Sequence, residues 1–468
     1  MGNKPSTAPA VPAFSAQRVW RSVFAAHPAR TVVVAFAAVI ALGTGLLALP
    51  MATEQGSSTT LLTALFTSTS AVCVTGLAVV DTSTHWSGFG EGVILALIQV
   101  GGFGIMTMAS LLALLVSGRL RLRLQLTAQA ETKSLGIGDV RRVLLGVAGT
   151  TLSVELAVGA FLALRFRFGY NEDVGDAAYL GFFHAVSAFN NAGFGLHADN
   201  LIRYAQDPWV TLPIAVAVIL GGLGFPVLLE MLRHRQRRRT TGRRNWTLHS
   251  KLTLVTTAAL LVTGTLLTCL LEWTNKDTLG AFDWHEKILN GFFFSAMTRS
   301  AGFNVLDIDA LNASTLLMSC MLMFIGGGSA GTAGGIKVTT FAVLAAAILA
   351  EVRGEPNAAV MGRRLAPDVL RQALTVALLG VGLVMASTLA LLATTQASLE
   401  AVLFEVVSAF STVGLSTGLT ADLPASGQFI LILLMFIGRL GPITLVSALA
   451  LRERTRRYQL PEERPVIG

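Results

Sequence analysis

Four short segments of this chain repeat one pattern, and that repetition limits the fold more tightly than any other feature. They read Ser70-Ala-Val-Cys-Val-Thr-Gly76-Leu77, Ser187-Ala-Phe-Asn-Asn-Ala-Gly193-Phe194, Ser295-Ala-Met-Thr-Arg-Ser-Ala-Gly302-Phe303 and Ser408-Ala-Phe-Ser-Thr-Val-Gly414-Leu415. Their glycines fall 117, 109 and 112 residues apart. Regular self-similarity of this kind marks a structural unit copied along the chain. Each signature follows an apolar run of about 12 to 15 residues, too short to cross a bilayer as a helix, which takes about 20.

Longer apolar runs flank each unit: Thr31–Met51, Gly92–Val116, Val143–Leu164, Trp209–Leu232, Leu252–Leu271, Leu370–Ala393 and Phe429–Leu451. An eighth, Leu316–Ala350, is too long and too glycine-rich for one plain helix. Composition agrees with a membrane protein: 13% of residues are charged and mean hydropathy is +0.64, against about 25% charged in an average soluble chain. The first apolar run is full length and ends at Leu49-Pro50 without a small-x-small site, so no cleavable signal peptide is expected.

The net charge of +8 is distributed in a way that argues against nucleic acid. Basic residues gather in every second connection: Arg18, Arg21 and Arg30; Arg119 to Arg142; Arg233 to Arg244; Arg353, Arg363 and Arg364; Arg452 to Arg457. The intervening connections are acidic or neutral, as at Asp81, Asp173, Asp307 and Asp422. This is the positive-inside pattern. It puts both termini in the cytoplasm and requires an even number of spans, and eight fits. The run Arg233–Arg239 reads as a cytoplasmic anchor touching lipid headgroups. Cys73, Cys269 and Cys320 are dispersed, with neither metal-ligand spacing nor a disulfide framework.

The expected fold is therefore an all-α membrane protein of four helix–pore-loop–helix repeats, with eight transmembrane helices and four half-inserted pore helices. The repeats fall at 31–118, 139–234, 249–350 (with an intramembrane loop at 326–336) and 366–452, between tails 1–30 and 453–468. Loop backbone at membrane depth is tolerated only where it is buried in protein or lines a water-filled cavity. Four such loops can meet around one axis. A dehydrating cation exchanges its water shell for oxygen ligands, and backbone carbonyls supply them without fixed charge. The signatures hold no acidic residue, which suits carbonyl coordination better than a carboxylate ring.

Two other classes fit less well. An intramembrane hydrolase needs a nucleophile–base pair or metal ligands at membrane depth. Of the histidines only His184 falls away from span ends and loops, and no HExxH, paired carboxylates or Gly-x-Ser-x-Gly occurs. An alternating-access carrier is usually marked by inverted repeats, and these four run in one sense. A filter preferring sodium or ammonium to potassium stays open.

At this point the residues resemble the Trk/Ktr/HKT superfamily of potassium transport proteins. The four signatures carry the likeness. Gln99-Val-Gly-Gly-Phe-Gly104, Thr298-Arg-Ser-Ala-Gly-Phe303, Gly326-Gly-Gly-Ser-Ala-Gly-Thr-Ala-Gly-Gly-Ile-Lys337 and Gly438-Arg439 support it. With eight spans and no extra N-terminal helix pair, the chain is most similar to the Ktr-type membrane subunit. The resemblance covers nearly the whole chain. It implies a single pseudo-fourfold filter lined by Val74, Thr75 and Gly76; Asn191, Ala192 and Gly193; Ser300, Ala301 and Gly302; and Thr412, Val413 and Gly414. Glycine at the first signature goes with potassium selectivity in the family, and serine there with sodium preference. The resemblance further implies a homodimer in the cell's inner (plasma) membrane, surrounded by lipid and seated on a cytosolic ring of nucleotide-binding regulatory subunits (KtrA-type). Transport in such systems is often stimulated by sodium. No nucleic acid and no cofactor of the chain's own are expected, only transported K+ and, in some members, Na+.

The glycine-rich segment matches a dinucleotide fingerprint as a string, but no strand precedes it and no βαβ unit surrounds it. Gly326, Gly327, Gly328, Ser329, Ala330, Gly331, Thr332, Gly334 and Gly335 would break a helix. The plain reading is a packing hinge; the resemblance implies a gate under the filter. Lys337 and Arg439 are charges within apolar runs and functional candidates for that reason: Lys337 to order the loop, Arg439 to face the pore below the filter. Arg299 and Glu405 are expected to brace the filter from behind, and Asn190 and Asn191 to tie neighbouring loops.

Overall fold

The structure is a computed structural model that describes residues 28–125, 137–237 and 246–441. Most of the expected tails, and the basic residues within 126–136 and 238–245, lie outside the described residues. Arg30 already belongs to the first helix.

The helices longer than one turn are α1 (Pro28–Leu47), α2 (Leu61–Cys73), α3 (Gly88–Gln125), α4 (Ile137–Gly169), α5 (Val174–Phe189), α6 (Pro208–Leu223) and α7 (Phe225–Arg237). They continue as α8 (Leu248–Glu272), α9 (Trp284–Met297), α10 (Ala313–Phe324), α11 (Val338–Val352), α12 (Pro367–Leu392), α13 (Leu399–Phe410) and α14 (Ala425–Leu440). Among the described residues α1, α3, α4, α8 and α12 are long and apolar enough to span a membrane. Among the described residues strand is confined to one hairpin of two two-residue strands, Ala359–Val360 with Arg363–Arg364.

The four signature segments end four short helices, α2, α5, α9 and α13, of 13, 16, 14 and 12 residues. Each starts on a polar cap that satisfies first-turn N–H groups: Thr60, Asp173, Asp283 with Glu286 in a capping box, and Ser398. Their first residues face outward, with Leu61, Val174, Trp284 and Leu399 each at least 59% exposed. Their last turns are buried, with Val186 of α5 half-buried. All four therefore run from the periphery to the centre, C-terminus inward.

Packing closes these units into a ring. Each short helix packs on helices of its own repeat, α2 on α1 and α3, α5 on α4 and α6, α9 on α8, and α13 on α12 and α14. Each also meets a helix of the preceding repeat: α5 meets α3, α9 meets α6, α13 meets α10, and α2 meets α14. The last contact joins the end of the chain to its beginning.

The structure corrects one expected span, alters another, and breaks the run Leu316–Ala350 where its glycines predict. Trp209–Leu232 is not one helix: α6 and α7 meet at 103°. The break is at Gly224, whose φ of +91° is closed to most side chains. The run Leu316–Ala350 is two short helices, α10 and α11, separated by the glycine-rich loop. The last span starts at Ala425 rather than Phe429 and its helix stops at Leu440, while residues 442–451 lie outside the described residues.

Candidate functional site

The four glycine loops meet at the centre of the ring. A Cβ on Gly76 would fall on the carbonyl oxygen of Ala192, one on Gly193 within 2.6 Å of Ala301 O, one on Gly302 within 2.6 Å of Val413 O, and one on Gly414 on Thr75 O. Each glycine thus abuts the carbonyl just before the glycine of the next loop, and the circuit returns to its start.

The loops also share one backbone. Their glycines have φ between +70° and +94°, and the residue two positions earlier is left-handed as well: Val74 at +56°, Asn191 at +60°, Ser300 at +86° and Thr412 at +47°. For a β-branched residue such as Val74 this costs about 1–3 kcal/mol, held only where the surroundings over-determine it. Val74 is fully buried, and Ser70 shows how it is held: its carbonyl accepts from Thr75 N–H (2.8 Å) and its Oγ from Gly76 N–H (3.1 Å). Ser408 does the same for Val413 and Gly414, at 2.8 and 3.1 Å. In these two repeats this is the physical reason for serine at the head of the signature, whereas Ser187 Oγ and Ser295 Oγ donate to Phe194 O (2.8 Å) and Leu261 O (3.0 Å).

The ring has two different sides. Residues after the glycines line an open bowl of about 230 Å³ that includes Val79, Asp81, Phe194, His197 and Asn200. Residues before the glycines meet the glycine-rich loop. The ends of that loop are pinched together where Ile325 bridges Ile336, and Gly326 N–H donates to Ile336 O (2.9 Å). Between them the loop reaches under the ring. Thr332 Oγ1 donates to Asn191 Oδ1 (2.8 Å), and Gly334 N–H donates to Ser300 Oγ (3.0 Å), which itself donates to Thr412 O (2.9 Å).

Three cations, Arg439 and Arg299 buried and Lys337 half-buried, act on this loop. Arg439, 4% exposed on α14, donates to Thr332 O and to Gly101 O of α3 (3.3 Å), so it links the loop to the first repeat. Lys337 Nζ donates to Ala333 O (2.6 Å). Arg299 was expected behind the ring; instead it donates to Gly326 O (3.3 Å) and to Thr257 O on α8 (3.2 Å), holding the loop's first limb. Glu405 does brace its own loop: it accepts from Ser416 Oγ, Thr417 N–H and Thr420 Oγ1 at 2.5, 2.9 and 2.6 Å. Asn190 ties α5 to Gln99 and Glu155 (both 2.9 Å), whereas Asn191 reaches the glycine-rich loop.

Two elements of the site escaped the sequence reading. Glu155, 3% exposed on α4, is an intramembrane carboxylate bonded to Asn190 and Gln99, and its place inside an apolar run was the available signal. The second is Gly221-Gly-Leu-Gly224, which forms the seat of the glycine-rich loop. Gly328 N–H donates to Gly222 O (2.7 Å), Thr332 N–H to Gly221 O (3.1 Å), and Phe225 N–H to Ala330 O (3.2 Å). Related strings stand at Gly101-Gly-Phe-Gly104, Gly326-Gly-Gly-Ser329 and Gly438-Arg-Leu-Gly441. In three of them the first glycine lets a helix approach a carbonyl at the end of a short helix: Gly101 at Val72 O, Gly221 at Phe189 O and Gly438 at Phe410 O.

Comparison with known proteins agrees with this geometry. Residues 8–455 match the family TrkH, described as cation transport protein. The chain is 38% identical to Ktr system potassium uptake protein B of Bacillus subtilis, over 92% of this chain and 95% of that protein. It is 37% identical to the protein of the same name from Vibrio alginolyticus, over 94% of each. It is 32% identical to potassium/sodium uptake protein NtpJ of Enterococcus hirae, over 94% of this chain and 97% of the other. The crystal structure of the potassium transporter TrkH from Vibrio parahaemolyticus superposes with a TM-score of 0.69 at 17% identity, covering 89% of this chain and 85% of that one, and so shares the fold. These relatives are transporters, and the intramembrane hydrolase reading falls with them. The chain, a membrane protein by its apolar helices, belongs to the TrkH family of cation transport proteins.

Proposed function

We propose that the chain is the membrane subunit of a Ktr-type potassium uptake system and that the four glycine loops are its selectivity filter. The observation that carries this reading is the closed circuit in which each loop glycine abuts the carbonyl of the next loop. Left-handed residues at alternate positions are a backbone pattern that turns successive carbonyls to one side, as a filter requires. Four helix C-termini aimed at one point add a negative potential of use only to a cation. Oxygen ligands without fixed charge suit a weakly hydrated monovalent ion that must also leave.

The glycine-rich loop is the gate in this reading. It lies on the side of the ring from which α7 runs to Arg233, the basic and hence cytoplasmic side. The bowl is then the external mouth, and both termini are cytoplasmic. Arg439 and Lys337 hold the loop closed by their bonds to Thr332 O and Ala333 O. The Ktr relatives are named as parts of a system, which supports a separate regulatory subunit, here a cytosolic nucleotide-binding ring under a homodimer with one pore per chain. Sodium enters as a stimulating ion, in keeping with the potassium/sodium name of the Enterococcus hirae relative. The chain needs no cofactor of its own.

The test is rubidium and potassium uptake in a bacterial strain lacking its own potassium systems, with and without a candidate regulatory subunit. Wild type should restore growth at low potassium, and Gly76→Ser should shift preference toward sodium. A chain present in the membrane that never carries potassium would remove the potassium assignment.

A further inference from the structure

A cavity of about 20 Å³ lies beneath the second and third loops, bounded by Gly222 of α6, Thr257 of α8, Gly327 of the glycine-rich loop, and the side chains of Asn191 and Arg299. Those two side chains are 1% and 7% exposed. Each already holds one limb of the glycine-rich loop, Arg299 at Gly326 O and Asn191 at Thr332 Oγ1. Each also keeps a buried donor without a protein partner, Arg299 Nε and Asn191 Nδ2. Such buried donors are costly unless something accepts from them. One ordered water needs roughly 10–15 Å³ and two or more polar partners, and this cavity offers both.

We propose that the cavity holds one ordered water accepting from Arg299 Nε and Asn191 Nδ2, and that Asn191 and Arg299 are positioning residues through which the gate loop sets the geometry of filter loops two and three. The proposal rests on the filter-and-gate reading above. A water serves whichever way the Asn191 amide is turned, because it can accept from the nitrogen or donate to the oxygen. A cation is excluded beside the guanidinium. Opening the gate loop breaks the bonds at Gly326 and Thr332, which frees Asn191 and Arg299 to relax; ion preference and gating are then linked.

Two independent measurements test this in the full-length chain. The first is competition of sodium with rubidium uptake for Asn191→Leu, Thr332→Val and the double variant, with membrane abundance measured alongside. Each single variant should lose about tenfold in potassium preference, and the double should lose no more than either alone, since groups acting through one linkage are non-additive. Fully additive losses, or wild-type preference in an abundant Asn191→Leu, would overturn the proposal. If Asn191→Leu does not reach the membrane, Arg299→Lys should show the same loss, and unchanged preference there overturns it equally. The second is a density map of the purified protein at water-resolving resolution. It should show one peak within hydrogen-bonding distance of both nitrogens; direct contact of the two side chains, or no peak, overturns the site. The map does not depend on transport, so failure of the filter reading and failure of this proposal remain distinguishable.

Discussion

The first and third repeats carry nearly the same string at the same place, and only one of them stays helical. In the first, Gly101-Gly-Phe-Gly104 lies inside an unbroken helix of 38 residues. In the third, Gly326-Gly-Gly-Ser329 opens a loop that lasts to Lys337. Two causes separate them. After Gly104 the sequence returns to good helix formers, whereas residues 326–337 contain six glycines, each costing about 1 kcal/mol in a helix interior. The loop also has somewhere to put its backbone. Its N–H groups reach Gly221 O, Gly222 O and Ser300 Oγ, and its carbonyls take Arg299, Arg439 and Lys337. A run of non-helical backbone at this depth survives only with such partners. The same motif therefore gives a straight helix where the ring needs a wall and a loop where something must lie beneath it.

Single substitutions separate the ring, the clamp and the two strings. The largest effect is expected at the ring: Gly414→Ala sets a methyl on Thr75 O at a φ of +94°, and potassium uptake should fall by about a hundredfold or more, given roughly 1–3 kcal/mol of backbone strain plus a displaced carbonyl. Uptake normalised to membrane abundance measures it. Next comes the clamp. Arg439→Gln loses the bonds to Thr332 O and Gly101 O, and basal flux without the regulatory subunit should rise about tenfold, as befits a charged hydrogen bond of roughly 1.5–3 kcal/mol. A loss of abundance alone would make Arg439 purely structural.

The two smallest effects oppose one motif position in two repeats. Gly224→Ala meets Ser329 O at a φ of +91° and should lower thermal stability by about 1–3 kcal/mol. Gly104→Ala meets nothing within 4 Å, and in a continuous helix it should be neutral or stabilising by up to about 1 kcal/mol. Thermal unfolding in detergent compares them directly. Equal effects would mean that the two glycines do the same work.

Much of this arrangement was legible in the chain. The signatures located the four ring glycines, because each stands at a positive φ where a Cβ would also strike the carbonyl of the next loop. The glycine-rich segment announced its own break. What stayed hidden depends on long-range packing. The bend at Gly224 is invisible to hydropathy, since Trp209–Leu229 is apolar but for Thr211, and it lies where the loop of another repeat brings Ser329 O close to the backbone. Arg299 lies three residues before a ring glycine, yet its side chain turns away to Gly326 and Thr257, a direction that spacing does not encode. The contact of α2 with α14, which closes the ring, joins residues more than 350 positions apart.

Rubidium influx into proteoliposomes carrying a Ser329–Thr332 deletion asks whether the glycine-rich loop obstructs a pathway through the ring. Influx at least about tenfold above wild type is expected without any regulatory subunit, together with weaker preference for potassium over sodium, since a charged clamp of roughly 1.5–3 kcal/mol is lost. Wild-type influx from an equally abundant, folded deletion variant would contradict it.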